Sequence, residues 1–201
     1  SDTLDIKSGI DVGNNTNIST INYKNDSKKD AVIIRTNGGA LTIDGASDTI
    51  KHYGTTKELE IKAIYNQSYH EFGTVVDMKT TASTGRIVIE NGGLVNNVSV
   101  TTSGVTYEKK GNGLLLSVTA SETNNSLNSV KVTEEDKKNF KYEISSLEEF
   151  ISFRDSVNSG MTYEGLTIKL TSNIDLNNQN WLPIGNYKYA NGFGQHKFKG
   201  T

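Results

Sequence analysis

Short runs of alternating apolar and polar residues recur along the chain. They are Ala31–Thr36, Ala40–Gly45, Leu59–Ile64, Thr74–Lys79, Arg86–Asn91, Val95–Thr102 and Leu114–Ala120. A period of two places successive side chains on opposite faces, so each run predicts a half-buried strand. Glycine and asparagine punctuate the runs in the phrases NGGA, DGAS, NGGL and KKGNG. The runs return roughly every ten to twenty residues, the spacing of a solenoid with one coil per repeat. Sandwiches and barrels also string short strands together with turns. Two features favour a solenoid. Two-residue hairpin turns are scarce between the runs, and the abundant Asn and Thr suit corners where like side chains stack and hydrogen-bond from coil to coil. The fold expected is mainly β, a right-handed parallel β-helix.

Beyond residue 120 the pattern changes. Residues 121–140 are polar and charged and read as a linker or an edge. Leu147, Phe150, Ile151 and Val157 then fall on one helical face, which predicts a helix over 145–159. Ser145 is placed to cap it, with Glu148 at the capping-box position and Gly160 to stop it. After the helix the alternation resumes, with Leu166, Ile168, Leu170, Ile174 and Leu176 as inward candidates. Two domains are expected: a solenoid over 1–135, and a helix-led cap or start of a second solenoid over 136–201, cut from a longer protein.

Composition narrows the function classes. Hydrophobic residues make up 34%, low for a compact globular chain, but plentiful Ile, Val and Thr and a single proline argue for order. The net charge is −2 with both signs mixed, so no basic stripe points to nucleic acid or an anionic membrane. No apolar run approaches the roughly 18 residues of a membrane span. The absence of cysteine excludes disulfides, thiolate zinc sites and a cysteine nucleophile.

Two segments carry resemblances. The phrases SSLEEFISFRDSVNSG, LTIKLTSNIDL, WLPIG and GFGQHKFKGT, within Tyr142–Thr201, resemble the helix-led unit that precedes GLUG-type repeats in large bacterial surface proteins. The stretch from Ala31 to about Val118, with TNGGALTIDGASDTIKHYG and NQSYHEFGTVVDMKTTASTGRIVIENGGLVNNVSV, resembles repeats of clostridial-type exported proteins. Both resemblances imply a β-solenoid that is secreted or held at a bacterial cell surface. Neither brings a catalytic motif.

Candidate chemistry centres on KHYG and SYHEFG, which hold two of the three histidines. His52 and His70 lie about one coil apart and could stack at one corner, with Tyr53, Tyr69 and Glu71 beside them. That corner reads as a stacked polar scaffold, as a ligand-binding surface, or as a metal site with ligands from adjacent coils. Tyr187 and Tyr189 are surface candidates for stacking on sugar rings, whereas Trp181 is expected to be buried; Phe193 and Phe198 complete that aromatic group. A polysaccharide-cleaving site would need two carboxylates held about 5–10 Å apart. Asp44, Glu60, Asp77 and Glu90, with Arg86, sit at or near strand positions that could line one outer face. The oxygen-rich stretch Ser172–Asn180 lacks the EF-hand spacing and reads as a turn that could hold a structural calcium. No cofactor is expected.

The leading function expected is a non-enzymatic, adhesin-like surface module that binds glycans or a host or partner surface. A polysaccharide-active β-helix enzyme and a ligand-free spacer are the competing readings. Open strand edges at a solenoid end also predict weak end-to-end self-association.

Overall fold

The computed structural model describes residues 3–6, 11–12, 18–24, 31–45, 49–64, 68–188 and 194–201. The chain divides into two compact units, Ser1–Val132 and Thr133–Thr201.

The first unit is a β-solenoid of two parallel sheets, with consecutive strands alternating between them. Among the described residues thirteen strands follow in chain order: β1 Thr3–Ile6, β2 Asp11–Val12, β3 Ile18–Tyr23, β4 Val32–Ile34, β5 Gly38–Asp44, β6 Thr49–His52, β7 Thr55–Ala63, β8 Ser68–Glu71, β9 Thr74–Thr80, β10 Gly85–Ile89, β11 Leu94–Val100, β12 Val105–Lys109 and β13 Leu114–Ala120. The odd strands form one sheet in the order β1-β3-β5-β7-β9-β11-β13, and the even strands the other, β2-β4-β6-β8-β10-β12. Strands that are neighbours in space are thus one coil apart in sequence.

Alternation decides which side chains enter the core. On the odd sheet Ile21, Leu41, Leu59, Met78 and Val98 form one inward column, and Tyr23, Ile43, Ile61, Thr80 and Val100 another. All ten are buried. Each buried aliphatic side chain contributes about 1.5–3 kcal/mol. Polar residues fill the outward columns, which explains how a chain of 34% hydrophobic content keeps a continuous core.

The corner leading into each later odd strand is built on glycine. Gly54, Gly73, Gly93 and Gly113 directly precede β7, β9, β11 and β13. Their carbonyls help carry the coil-to-coil ladder: Thr74 N donates to Gly54 O (3.0 Å), Leu94 N to Gly73 O (2.9 Å) and Leu114 N to Gly93 O (2.9 Å). A Cβ at Gly73 would collide with the carbonyl oxygen of Gly54 in the coil below. The glycines are there because backbone meets backbone.

At β12 the solenoid edge is closed by the segment that reads as a linker. Asn125–Ser129 forms a 3₁₀ helix. Asn124 Nδ2 donates to Val105 O (2.7 Å) and Ser126 Oγ accepts from Tyr107 N (2.9 Å).

The second unit opens with a short helix, α1 (Glu134–Asn139), in sequence expected to be linker. Thr133 caps it and Asp136 completes a capping box. Strand β14 (Tyr142–Ile144) leads into helix α2 (Leu147–Asn158). The cap of α2 is Ser146, with Glu149 closing the box, one residue later than the Ser145 and Glu148 expected. Ser145 still contributes, its N–H and hydroxyl both donating to Glu149. The buried face is Phe153, Ser156 and Val157, while Leu147, Phe150 and Ile151 are half-buried. Gly160 follows the helix at φ 118°.

Strand β15 (Ile168–Leu170) pairs parallel with β14. Of the expected inward residues only Leu166 is buried, and Leu170 is 57% exposed. Phe153, Tyr142, Tyr163 and Phe198 form an aromatic cluster with ring centroids 5.0–6.3 Å apart. Tyr163 donates or accepts a 2.6 Å hydrogen bond with Ser156 and holds φ at 56°, a left-handed conformation that this packing stabilises. Trp181, expected to be buried, is half-buried: it stacks on Phe150 at 4.9 Å, with the Arg154 guanidinium 4.7 Å over its ring. An antiparallel pair, β16 (Asn186–Lys188) and β17 (Gly194–His196), follows.

Candidate functional site

The two histidines do not stack. In the β6–β8 register His52 lies opposite Glu71 and Lys51 opposite His70. His52 therefore points into the solenoid and His70 out of it, correcting the expectation of one shared corner.

The inward pair forms a sealed polar cluster. His52 Nδ1 lies 2.8 and 3.0 Å from the two carboxylate oxygens of Glu71. An ionised carboxylate only accepts, so Nδ1 carries the proton directed at it. Tyr69 donates its hydroxyl to Glu71 Oε2 (2.6 Å) and Gly73 N donates to Oε1 (2.9 Å). His52 Nε2 is 3.1 Å from Thr56 Oγ1. Burial, reinforced by the charge and hydrogen bond of Glu71, pushes the Tyr69 phenol well above its usual range. The order carboxylate–imidazole–hydroxyl is that of a nucleophilic triad. Here, however, His52, Glu71 and Thr56 are each 0% exposed, and no substrate reaches Thr56. Glu71 accepts three donors, so the cluster is a satisfied internal brace. His52 is thereby removed as a surface ligand residue.

The outward face of the same coils carries a second histidine–carboxylate pair, whose side chains keep 13% and 12% exposure. His70 Nδ1 is 2.6 Å from Glu90 Oε1 and its Nε2 is 2.7 Å from Ser68 Oγ. Lys110 lies 3.6 Å from Glu90. Beside them runs a ladder with one residue per coil: the Arg35 guanidinium sits 4.8 Å over the ring of Tyr53, which stacks on Phe72 at 4.6 Å and 9°. Tyr53 remains 39% exposed. In this ladder the faces that Tyr53 and Phe72 turn to each other are covered, and Tyr53 is also overlain by Arg35.

The carboxylates expected on one face are divided between two walls. Asp44 and Asp77 belong to β5 and β9 of the odd sheet, whereas Arg86 is on β10 of the even sheet and Glu90 follows it. Arg86 is committed to Glu108 through two bonds of 2.9 and 2.7 Å, which hold the Glu108 carboxyl below its usual range. Asp77 lies in register with Glu58 one coil below and Asn97 one coil above. Burial, then the Glu58 charge, raises its carboxyl pKa against the pull of Lys57. Glu60 lies between Lys62 (3.7 Å) and Lys79 (3.8 Å). Among the described residues no group of three or more His, Asp or Glu could hold a metal ion.

No family model matches this chain. Neither a curated protein nor a solved structure matches it. The arrangement of the walls is accordingly what any functional reading rests on.

In the second unit, the Ser172–Asn180 stretch is a turn in which Asp175 Oδ1 accepts from Asn177 N (2.8 Å). Tyr187 lies in β16 opposite Gln195, and Tyr189 and Phe193 fall outside the described residues. No helix among the described residues is long and apolar enough to cross a membrane.

Thr56 and Glu108 were not among the candidate site residues, and Glu71 was expected beside the histidine corner rather than inside the core. A signal for the direction of Glu71 was available. Aligning KHYG with HEFG on their glycines, rather than on their histidines, places His52 over Glu71 and Tyr53 over Phe72.

Proposed function

We propose that this protein is a non-enzymatic, adhesin-like display scaffold that is secreted or held at a bacterial cell surface. Its contact surface is the wall and corner that carry Arg35, Lys51, Tyr53, His70, Phe72, Glu90 and Lys110. One observation carries this reading. The only triad-like cluster described is walled into the core at 0% exposure, while Tyr53, His70, Glu90 and Lys110 sit on the outer side of successive coils. Such coils repeat at about 4.8 Å, a spacing suited to contacts with a repeating ligand such as a glycan. Because the ladder faces of Tyr53 and Phe72 are covered, recognition runs through hydrogen bonds and charge from Lys51 and Lys110 rather than through flat stacking on sugar rings. Placement at a bacterial surface follows from the resemblance of the two repeat-like segments.

A glycan array sampled over time for product release tests this. Binding without turnover is expected, falling about tenfold or more for Lys51→Ala or Lys110→Ala, a loss of ~1.4 kcal/mol. Released product would overturn the reading in favour of a polysaccharide-active enzyme. Silence across glycans and host surfaces would leave a spacer.

A further inference from the structure

Four Asn–Gly pairs occur in the chain: Asn37–Gly38, Asn91–Gly92, Asn112–Gly113 and Asn191–Gly192, the last outside the described residues. Asn–Gly is the pair most prone to self-modification, because glycine has no Cβ to keep its backbone nitrogen away from the preceding side chain. That nitrogen loses its proton to water, attacks the asparagine Cγ, forms a C–N bond and expels the side-chain amide as ammonia. Water then opens the five-membered imide to aspartate or isoaspartate. The net change is amide plus water to carboxylate plus ammonium, so no oxidant or cofactor enters.

Asn91–Gly92 is the described pair most open to this chemistry. Both residues are exposed, and a Cβ at Gly92 would meet nothing within 4 Å. By contrast, Gly38 opens strand β5, and Gly113 is buried with its N–H donating to Lys110 O (3.0 Å). Yet both reacting groups of Asn91–Gly92 are tied down from the next coil. Gly92 N donates to Asn112 Oδ1 (2.7 Å). Asn91 Oδ1 accepts from Asn112 N (3.0 Å). The Asn91 amide also lies against Gly111, where an added Cβ would collide with Asn91 Oδ1. Attacking nitrogen and attacked amide are thus held by two atoms of one residue. The Asn112 amide oxygen accepts the Gly92 hydrogen bond but cannot take its proton, so it restrains the nucleophile without activating it.

We propose that Asn91 is a self-modification site latched by Asn112 of the neighbouring coil. The latch belongs to the turn at 110–113 that leads into β13, so it opens when that coil parts from the one before it. The product sets a new carboxylate beside Glu90, and isoaspartate adds a methylene to the backbone of the corner. The turn then does not close as before, and modification at Asn91 records that the corner has opened. The inference does not rest on the glycan-contact reading.

The full chain is held at mildly alkaline pH, folded and in urea, and conversion at Asn91 is followed by peptide mapping with mass spectrometry. Conversion is expected to be about tenfold slower, or slower still, in the folded chain. Asn112→Ala frees Gly92 N but keeps the backbone donor to Asn91, and in the folded state it is expected to convert about tenfold faster than the unaltered chain. Asn112→Asp keeps an acceptor for Gly92 N and is expected to stay slow, which a mere loosening of the turn by substitution does not predict. Circular dichroism and thermal melting verify that each variant is folded. Equal conversion of the unaltered chain in its folded and unfolded states overturns the proposal without any variant. So does a folded Asn112→Ala chain that converts no faster, or an Asn112→Asp chain that converts as fast as Asn112→Ala.

Discussion

At the scale of single residues, the weightiest group is Glu71. A carboxylate at 0% exposure is tolerable only because Tyr69, Gly73 and His52 all donate to it. Glu71→Ala strands three donors at once and is expected to cost about 3–5 kcal/mol, the usual penalty for breaking a buried pair from one side. Replacing both partners, as in His52→Leu with Glu71→Met, removes the charge together with its main donor. Tyr69 and Gly73 still lose an acceptor, so a smaller cost of about 1–3 kcal/mol is expected. Urea denaturation of the three proteins separates the cases. A double variant as unstable as Glu71→Ala would show that the His52–Glu71 pair is not the source of the cost. Glu71 was legible as chemistry in SYHEFG, but its direction was not, because direction depends on which residue one coil away it faces.

At the scale of elements, both helices obey local rules. Thr133 with Asp136 and Ser146 with Glu149 form capping boxes, and Gly160 follows α2. The position of α2 was readable in sequence to within a residue because caps and apolar spacing act over a single turn. Phe153 escaped because its burial depends on Tyr142, Tyr163 and Phe198, which lie beyond the helix. Strand corners obey a different constraint, the approach of one coil to the next. Gly73→Ala pushes a methyl group against the Gly54 carbonyl, a position shared by two coils with no flexible side chain to yield. A loss of about 2–3 kcal/mol is expected, as for an overpacked core. Gly92, whose added Cβ would meet nothing within 4 Å but whose φ is 86°, is a useful contrast. Its substitution costs about 1 kcal/mol through backbone strain alone. Thermal melts that rank the two variants the other way would refute the close-approach account.

At the scale of the molecule, charge sets the dependence of stability on pH, with groups of opposite sign. The Glu108 and Glu164 carboxyls are held low by Arg86 and Lys199. Their contribution is present above the ordinary carboxylate range and lost as pH falls through their folded values. Asp77 works the other way. Its raised pKa means the folded state binds its proton more tightly, so it destabilises the fold at neutral pH and ceases to do so in acid. Asp77→Asn is therefore expected to stabilise the protein at pH 7 by about 0.5 kcal/mol, a small figure because solvent screens the pair with Glu58. The gain should vanish below the ordinary Asp range of about 4. Denaturation midpoints at several pH values check this. A gain that persists unchanged into acid would mean that charge is not its cause.

The sequence by itself determined the solenoid, seven of its thirteen described strands and the position of α2 to within a residue. Alternation, capping and glycine placement are local, and their physics is complete within a few residues. Which wall each charged residue occupies was decided only by the tertiary structure. Asp77 and Arg86 are nine positions apart yet lie on different sheets, whereas Arg86 and Glu108 are twenty-two apart and share two hydrogen bonds. In a solenoid the neighbour that matters is one coil away, and coil length varies here from Thr3↔Thr20 to Asp11↔Ile33. A register that shifts by single residues turns a side chain from the core to the solvent. That is why His52, a candidate ligand by composition, is a brace of the interior, while His70 remains on the surface.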